Sequence, residues 1–172
     1  MKWIPWKTQL RLIGFAYAAV VAISVVLVMV RRWQYATHAA DVAASGGMWA
    51  GGDLLLEFFI LGMLLVVTFF LVLVIRKSET AYTNYAKALV GVSLTAPLSV
   101  GIISIPWVNR SNSILGYACM FRLFASPVVA FGIGASRLFA RFPRAKRLTV
   151  YAFLIEGLTL VGIAVLLFFG RG

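Results

Sequence analysis

The sequence predicts an all-α membrane protein, a bundle of about five transmembrane helices whose N-terminus is cytoplasmic. Hydrophobic residues make up 62% of the 172-residue chain and charged residues only 12%, which is more apolar surface than a water-soluble fold of this size can bury. The chain contains five apolar stretches of about 20 residues each, the length that crosses the hydrocarbon core of a bilayer. Basic residues cluster at the ends of these stretches, as topology signals do.

The predicted spans belong to a single transmembrane domain that covers residues 1–172. They run over residues 10–30, 53–75, 85–105, 113–138 and 148–169. The first span is longer than the apolar region of about 7–15 residues in a cleaved signal peptide. It is followed directly by Arg31 and Arg32 rather than by a small-residue cleavage site. We therefore expect it to remain in the protein as a membrane span.

The longest connection lies between the first and second spans. Its alanine-rich part, residues 33–44, predicts a short helix on the outer interface, which Ser45 and the two glycines after it would end. Gly51 and Gly52 predict a turn. Asp53 is then expected to cap the N-terminus of the second span.

The distribution of lysine and arginine predicts the orientation. With the N-terminus inside, the inner segments hold eleven of these residues: Lys2, Lys7, Arg11, Arg76, Lys77, Lys87, Arg137, Arg141, Arg144, Lys146 and Arg147. The outer segments hold four: Arg31, Arg32, Arg110 and Arg171. All five tryptophans fall just outside the proposed spans, at the interfaces that indole rings prefer. We expect a multi-pass protein of the cell (inner or plasma) membrane.

Three charged residues lie inside the predicted spans, where charges are costly and mark candidate functional sites. They are Glu57, Arg122 and Glu156. From the helical rise, Glu57 lies about 6 Å and Arg122 about 8 Å below the outer edge, whereas Glu156 lies about 13 Å above the inner edge. These depths predict an ion pair between Arg122 and Glu57, with Glu156 as the alternative partner. A purely structural role is the competing interpretation for all three charges.

The small residues around Arg122 and Glu156 predict that both side chains point into the bundle. Ala118, Cys119, Ala125 and Ser126 lie three or four positions from Arg122. The third span is the most polar of the five, and its hydroxyl residues Thr95 and Ser99 complete the candidate intramembrane polar site: Glu57, Arg122, Glu156, Thr95 and Ser99. Pro97 and Pro127 fall near mid-membrane, which is typical both of broken transporter helices and of ordinary packing.

No catalytic residue, cofactor or metal site is predicted, and the sequence favours a protein that is not an enzyme. Ser136 lies in a Gly-Ala-Ser-Arg segment that superficially matches the nucleophile motif of intramembrane serine proteases. The single histidine, His38, lies in the outer loop, so no base is evident for that serine. The single cysteine, Cys119, lies in an apolar run that predicts burial.

The expected partners are membrane lipids, with anionic lipids at the inner basic loop (residues 137–147), and either further copies of the chain or a partner membrane subunit. Nucleic acid is not an expected partner, because no basic stretch is long enough to form an element that binds a groove of DNA or RNA. The first span has a small residue at every fourth position: Gly14, Ala18 and Ala22. This pattern is typical of a helix surface against which another transmembrane helix packs.

Two functions from different classes remain open, and the sequence slightly favours the first. In the first, the protein is a small carrier or channel with a polar path along the third and fourth helices. In the second, it is a non-catalytic accessory or scaffold subunit of a membrane complex. A water-filled cavity that reaches Arg122 would favour the first. A dry core with an exposed ridge at Gly14, Ala18 and Ala22 would favour the second.

Overall fold

A computed structural model describes residues 5–106, 108 and 114–169, with the backbone alone for residues 114 and 166–169. Nearly all of these described residues are helical, and no strand occurs among them. Five of the helices are long and apolar enough to cross a membrane. The protein is therefore an all-α, multi-pass membrane protein, as the composition predicts. Trp3, Trp107, Lys2, Arg110 and Arg171, which enter the orientation argument, lie outside the described residues.

The helices are α1 (Trp6–Thr37), α2 (Ala39–Ala44), α3 (Gly46–Ile75), α4 (Glu79–Ile103), α5 (Ile114–Phe139) and α6 (Pro143–Phe169). All but α2 match a predicted span, and most extend beyond its bounds because a helix continues past the hydrocarbon edge. Local signals explain several ends: Pro5 precedes α1, the Ser78 hydroxyl accepts a hydrogen bond from the backbone N–H of Ala81, and Pro143 opens α6.

The outer connection differs in part from its prediction. The short helix α2 ends before Ser45, as predicted, but it covers only Ala39–Ala44, because residues 33–37 continue α1. However, the prediction of a turn at Gly51 and Gly52 with Asp53 as a helix cap is wrong, because α3 already begins at Gly46 and passes through all three residues. Glycine weakens a helix by only about 0.5–1 kcal/mol, and the long apolar segment that follows propagates the helix backwards through it.

Contacts divide the chain into two compact units, Met1–Val74 and Ile75–Gly172. In the first unit, α1 and α3 form an antiparallel hairpin. The Tyr17 and Thr68 hydroxyls are 2.7 Å apart near one end, and Arg31 contacts Asp53 near the other. The single domain over residues 1–172 stays a prediction.

In the second unit, α4, α5 and α6 each pack against the other two, most extensively α4 against α6. The buried positions between them are mostly small: Ala86, Ser93, Ala96, Ala125, Ser126, Ala145, Thr149 and Ala152. Small side chains allow helix backbones to approach closely, which is the main source of packing energy between helices in lipid. This three-helix unit holds most of the predicted polar site.

Candidate intramembrane polar site

Arg122 lies at the centre of a polar cluster that joins all three helices of the second unit. Its Nη1 and Nη2 atoms donate to the two carboxylate oxygens of Glu156 on α6, at 2.9 and 2.8 Å. This is the bidentate geometry in which a guanidinium and a carboxylate interact most strongly. Glu156 has no exposed side-chain surface and Arg122 has 15%. The pair is therefore buried and fully hydrogen-bonded.

The other donors of Arg122 are also engaged. Its Nε donates to the Thr95 hydroxyl at 2.7 Å, and its Nη2 donates to the backbone carbonyl of Val92 at 3.0 Å, both on α4. Its Nη1 donates to the Ser126 hydroxyl at 3.0 Å. A guanidinium has five N–H donors, and here each of the five has an acceptor. The arginine connects α4, α5 and α6 without leaving a donor unused.

The predicted ion pair between Arg122 and Glu57 is therefore wrong, and the alternative partner Glu156 is the observed one. The error comes from measuring the depth of each residue from an estimated span edge. In the structure, the antiparallel register of α5 and α6 sets Arg122 opposite Glu156. Three of the four small residues that predict the inward direction, Cys119, Ala125 and Ser126, are buried, whereas Ala118 is exposed.

Ser99 does not join the Arg122 cluster. Its hydroxyl donates to the carbonyl of Thr95 on its own helix, at 2.8 Å. The Thr95 hydroxyl in turn donates to the Val92 carbonyl at 2.6 Å. Both predicted hydroxyls of α4 thus hydrogen-bond to their own backbone, which is the usual way for a helix in lipid to satisfy them. The buried Ser93 hydroxyl has no hydrogen-bond partner within the described part of the chain.

The two mid-membrane prolines do not break their helices. α4 continues through Pro97 and α5 continues through Pro127. Discontinuous helices expose backbone groups that coordinate ions and substrates in many transporters. Continuous helices favour the packing interpretation of both prolines.

Ser136 is a structural residue in this unit. It is buried, and its hydroxyl donates to the Gly132 carbonyl at 2.8 Å. The Tyr85 hydroxyl lies 2.8 Å from the same oxygen, and the Tyr82 hydroxyl donates to the Ser136 carbonyl. Two phenols are weak bases at neutral pH and do not activate a serine nucleophile.

A second polar cluster, which the sequence reasoning missed, joins α1 and α3 in the first unit. Arg31 Nε donates to Asp53 Oδ1 at 2.5 Å, and its Nη2 donates to the Trp49 carbonyl at 2.6 Å. The Tyr35 hydroxyl donates to Asp53 Oδ2. The guanidinium also lies 4.5 Å from the Trp49 ring centre and 5.1 Å from that of Tyr35. The four-residue spacing in each pair, Arg31 with Tyr35 and Trp49 with Asp53, is the signal that could have identified it.

The absence of a side chain at Gly52 leaves room for the Arg31 guanidinium. Alanine substitutions at Gly51 and Gly52 should therefore differ in their effect on stability. A Cβ atom at Gly52 would lie 2.8 Å from Arg31 Nη2, whereas one at Gly51 would meet nothing within 4 Å. Gly51→Ala is expected to raise the free energy of unfolding by about 0.5–1 kcal/mol, the helix preference of alanine over glycine. Gly52→Ala is expected to raise it less, because the guanidinium has to move. Equal gains in thermal unfolding experiments on the two variants would contradict this role of Gly52.

Glu57 belongs to α3, in the first unit. It is 7% exposed, and its Oε1 has no hydrogen-bond partner within the described part of the chain. Among the described residues, no group of three or more His, Cys, Asp or Glu side chains could hold a metal ion. Of the five predicted site residues, the structure therefore brings together Arg122, Glu156 and Thr95.

Comparisons with known proteins identify no relative of this chain. No protein-family model matches the sequence, and neither a curated protein nor a solved structure is significantly similar to it.

Proposed function

We propose that this chain is a non-catalytic accessory or scaffold subunit of a membrane complex, which binds a transmembrane helix of a companion subunit. The observation that carries this proposal is the saturation of Arg122, whose five donors all have acceptors within α4, α5 and α6. A carrier has to offer its buried charges to a solute. Here the arginine and its carboxylate neutralise each other, and together they hold three helices in register.

The exposed surface of α1 supports the same function. Gly14, Ala18 and Ala22 are all exposed, and a Cβ atom at Gly14 would meet nothing within 4 Å. Only 6% of the apolar window of α1 is buried inside the chain. A row of small residues four positions apart lets a second helix approach to backbone distance. We name this row (Gly14, Ala18 and Ala22) the α1 ridge and assign it to the companion helix.

A groove in the first unit has no polar group with which to bind a polar solute. The groove, of about 530 Å³, lies between Val20 of α1 and the part of α3 that includes Phe58, Phe59 and Met63. All of its lining residues are apolar. Ligand sites for polar molecules contain a few convergent polar groups, so this groove fits acyl chains better than a transported solute.

The proposal includes the placement of the protein in the cell membrane with the N-terminus in the cytoplasm. The inner basic loop supports it, because its five basic residues are exposed and form no ion pair with another described residue: Arg137, Arg141, Arg144, Lys146 and Arg147. Exposed cations at a membrane edge attract anionic lipid headgroups, each by about 1 kcal/mol. Anionic lipids on the cytoplasmic leaflet are the partner expected there.

Two adjacent alanines of α1 allow a matched test of the companion site. Ala18 belongs to the α1 ridge, whereas Ala19, also exposed, lies about 100° around the helix. Ala18→Leu is expected to reduce recovery of the companion about tenfold or more, the effect of about 1.4 kcal/mol of lost binding energy. Ala19→Leu is expected to leave it unchanged. The measurement is purification of the tagged full-length chain in mild detergent, with bound proteins identified by mass spectrometry.

Two outcomes would contradict the proposal. One is a companion that binds Ala18→Leu as well as it binds the unaltered chain. The other is a complex that contains only copies of this chain, in which case the α1 ridge joins identical subunits.

A further inference from the structure

Glu57 is a buried acidic residue that has no role in the proposed binding of a companion helix. Its side chain is 7% exposed within α3, one of the five apolar spans, and its Oε1 has no hydrogen-bond partner among the described residues. The two ion pairs of the described residues involve Asp53 and Glu156, not Glu57. A buried carboxylate that has no cation beside it and an oxygen without a hydrogen bond is costly in a low-dielectric medium, and such a group takes up a proton instead.

The position of Glu57 on α3 places it on the side of that helix from which side chains reach α1. It follows Asp53 by four residues and precedes Thr68 by eleven, so the three residues share one face of the helix. Asp53 contacts Arg31 and Thr68 contacts Tyr17, both on α1. Glu57 therefore lies on the face of α3 that makes both hydrogen-bonded contacts to α1, between the two.

The charged and titratable groups of the hairpin near this face are already paired. The Arg31 guanidinium donates to Asp53, Gln34 and the Trp49 carbonyl. Both Asp53 oxygens accept hydrogen bonds, one from Arg31 and one from Tyr35. Arg31 and Asp53 neutralise each other. An ionised Glu57 would thus add an unbalanced negative charge one helical turn from Asp53, where like charges repel.

We propose that Glu57 binds a proton inside the α1–α3 hairpin and is a neutral carboxylic acid at physiological pH. Asp53 and Glu156, by contrast, each form an ion pair with an arginine. The protein thereby carries an exchangeable proton within the membrane. This inference is independent of the companion site on α1.

Infrared difference spectroscopy between two pH values, on the full-length protein in a detergent without ester groups, tests the proposal directly, because protonated and ionised carboxyls absorb at separate frequencies. We expect a band from the C=O stretch of a carboxylic acid at neutral pH that decreases as the pH is raised. Glu57→Gln is expected to abolish this band. Glu79→Gln, which alters an exposed glutamate at the start of α4, is the matched control and is expected to retain it.

Labelling with an apolar carbodiimide provides a second measurement. This reagent takes the proton of a carboxylic acid onto its nitrogen while the carboxylate oxygen adds to its carbon, so ionised carboxyls in lipid react poorly. Peptide mapping is expected to find the adduct at Glu57 and not at Asp53 or Glu156. The absence of the infrared band at neutral pH in the unaltered protein would overturn the proposal. So would a band that persists in Glu57→Gln, since Gln cannot supply it.

Discussion

Replacing Glu156 by glutamine is expected to lower the free energy of unfolding of the three-helix unit by about 3–5 kcal/mol, the cost of leaving one partner of a buried ion pair uncompensated. The Arg122 side chain is 15% exposed. Its two charge-assisted hydrogen bonds both go to the carboxylate oxygens of Glu156. An amide in place of the carboxylate removes the negative charge and turns its NH₂ group toward the guanidinium donors. Unfolding in mixed detergent micelles, followed by circular dichroism, measures the loss.

Removing both charges together is expected to cost much less than removing one. In Arg122→Met combined with Glu156→Met, no charge remains buried, and buried ion pairs are often replaced by apolar residues without loss of stability. The Thr95 hydroxyl still donates to the Val92 carbonyl. Glu79→Gln, at an exposed glutamate in the first turn of α4, serves as the control and is expected to cost less than about 1 kcal/mol. A double variant less stable than Glu156→Gln would refute this structural role of the pair.

Replacing Ala86 by leucine is expected to destabilise the same unit by about 1–3 kcal/mol, because a larger side chain has no room there. Ala86 has no exposed surface and lies in α4, which packs most extensively against α6. The fully buried residues of α6 include the similarly small Ala145 and Ala152. The added carbons have to separate the two helices or force strained rotamers.

Ala88 provides the matched control for Ala86, since it lies two residues further along the same helix and is exposed. Ala88→Leu is expected to change the free energy of unfolding by no more than about 0.5 kcal/mol. The same unfolding titration measures both variants. Equal effects of the two substitutions would show that the small residues of α4 do not define its contact with α6.

The apolar runs predict the five long helices almost completely, because length and hydropathy alone decide whether a segment crosses a bilayer. The helix ends are less predictable. α1 extends to Thr37 and α3 begins at Gly46, since neither the interfacial residues nor the glycines are strong enough breaks to stop a helix that apolar residues propagate.

The polar site illustrates what sequence alone leaves open. The small residues around Arg122 predict its burial correctly, because a face of alanine, cysteine and serine fits a neighbouring helix and not acyl chains. They do not determine which acid it meets. The pairing with Glu156 depends on the register between α5 and α6, and a shift of one helical turn, about 5.4 Å, would separate the two side chains. The contribution of the Val92 carbonyl has no signal in the sequence, since every residue carries one.

Recovery of the companion subunit by the Arg122→Met/Glu156→Met double variant is the measurement that tests the central claim most directly. If the ion pair only holds the three helices together and α1 binds the companion, the folded double variant should recover as much companion as the unaltered chain. A folded double variant that has lost the companion would contradict this account. The account would equally be contradicted if the unaltered chain retained a bound polar solute that the double variant does not.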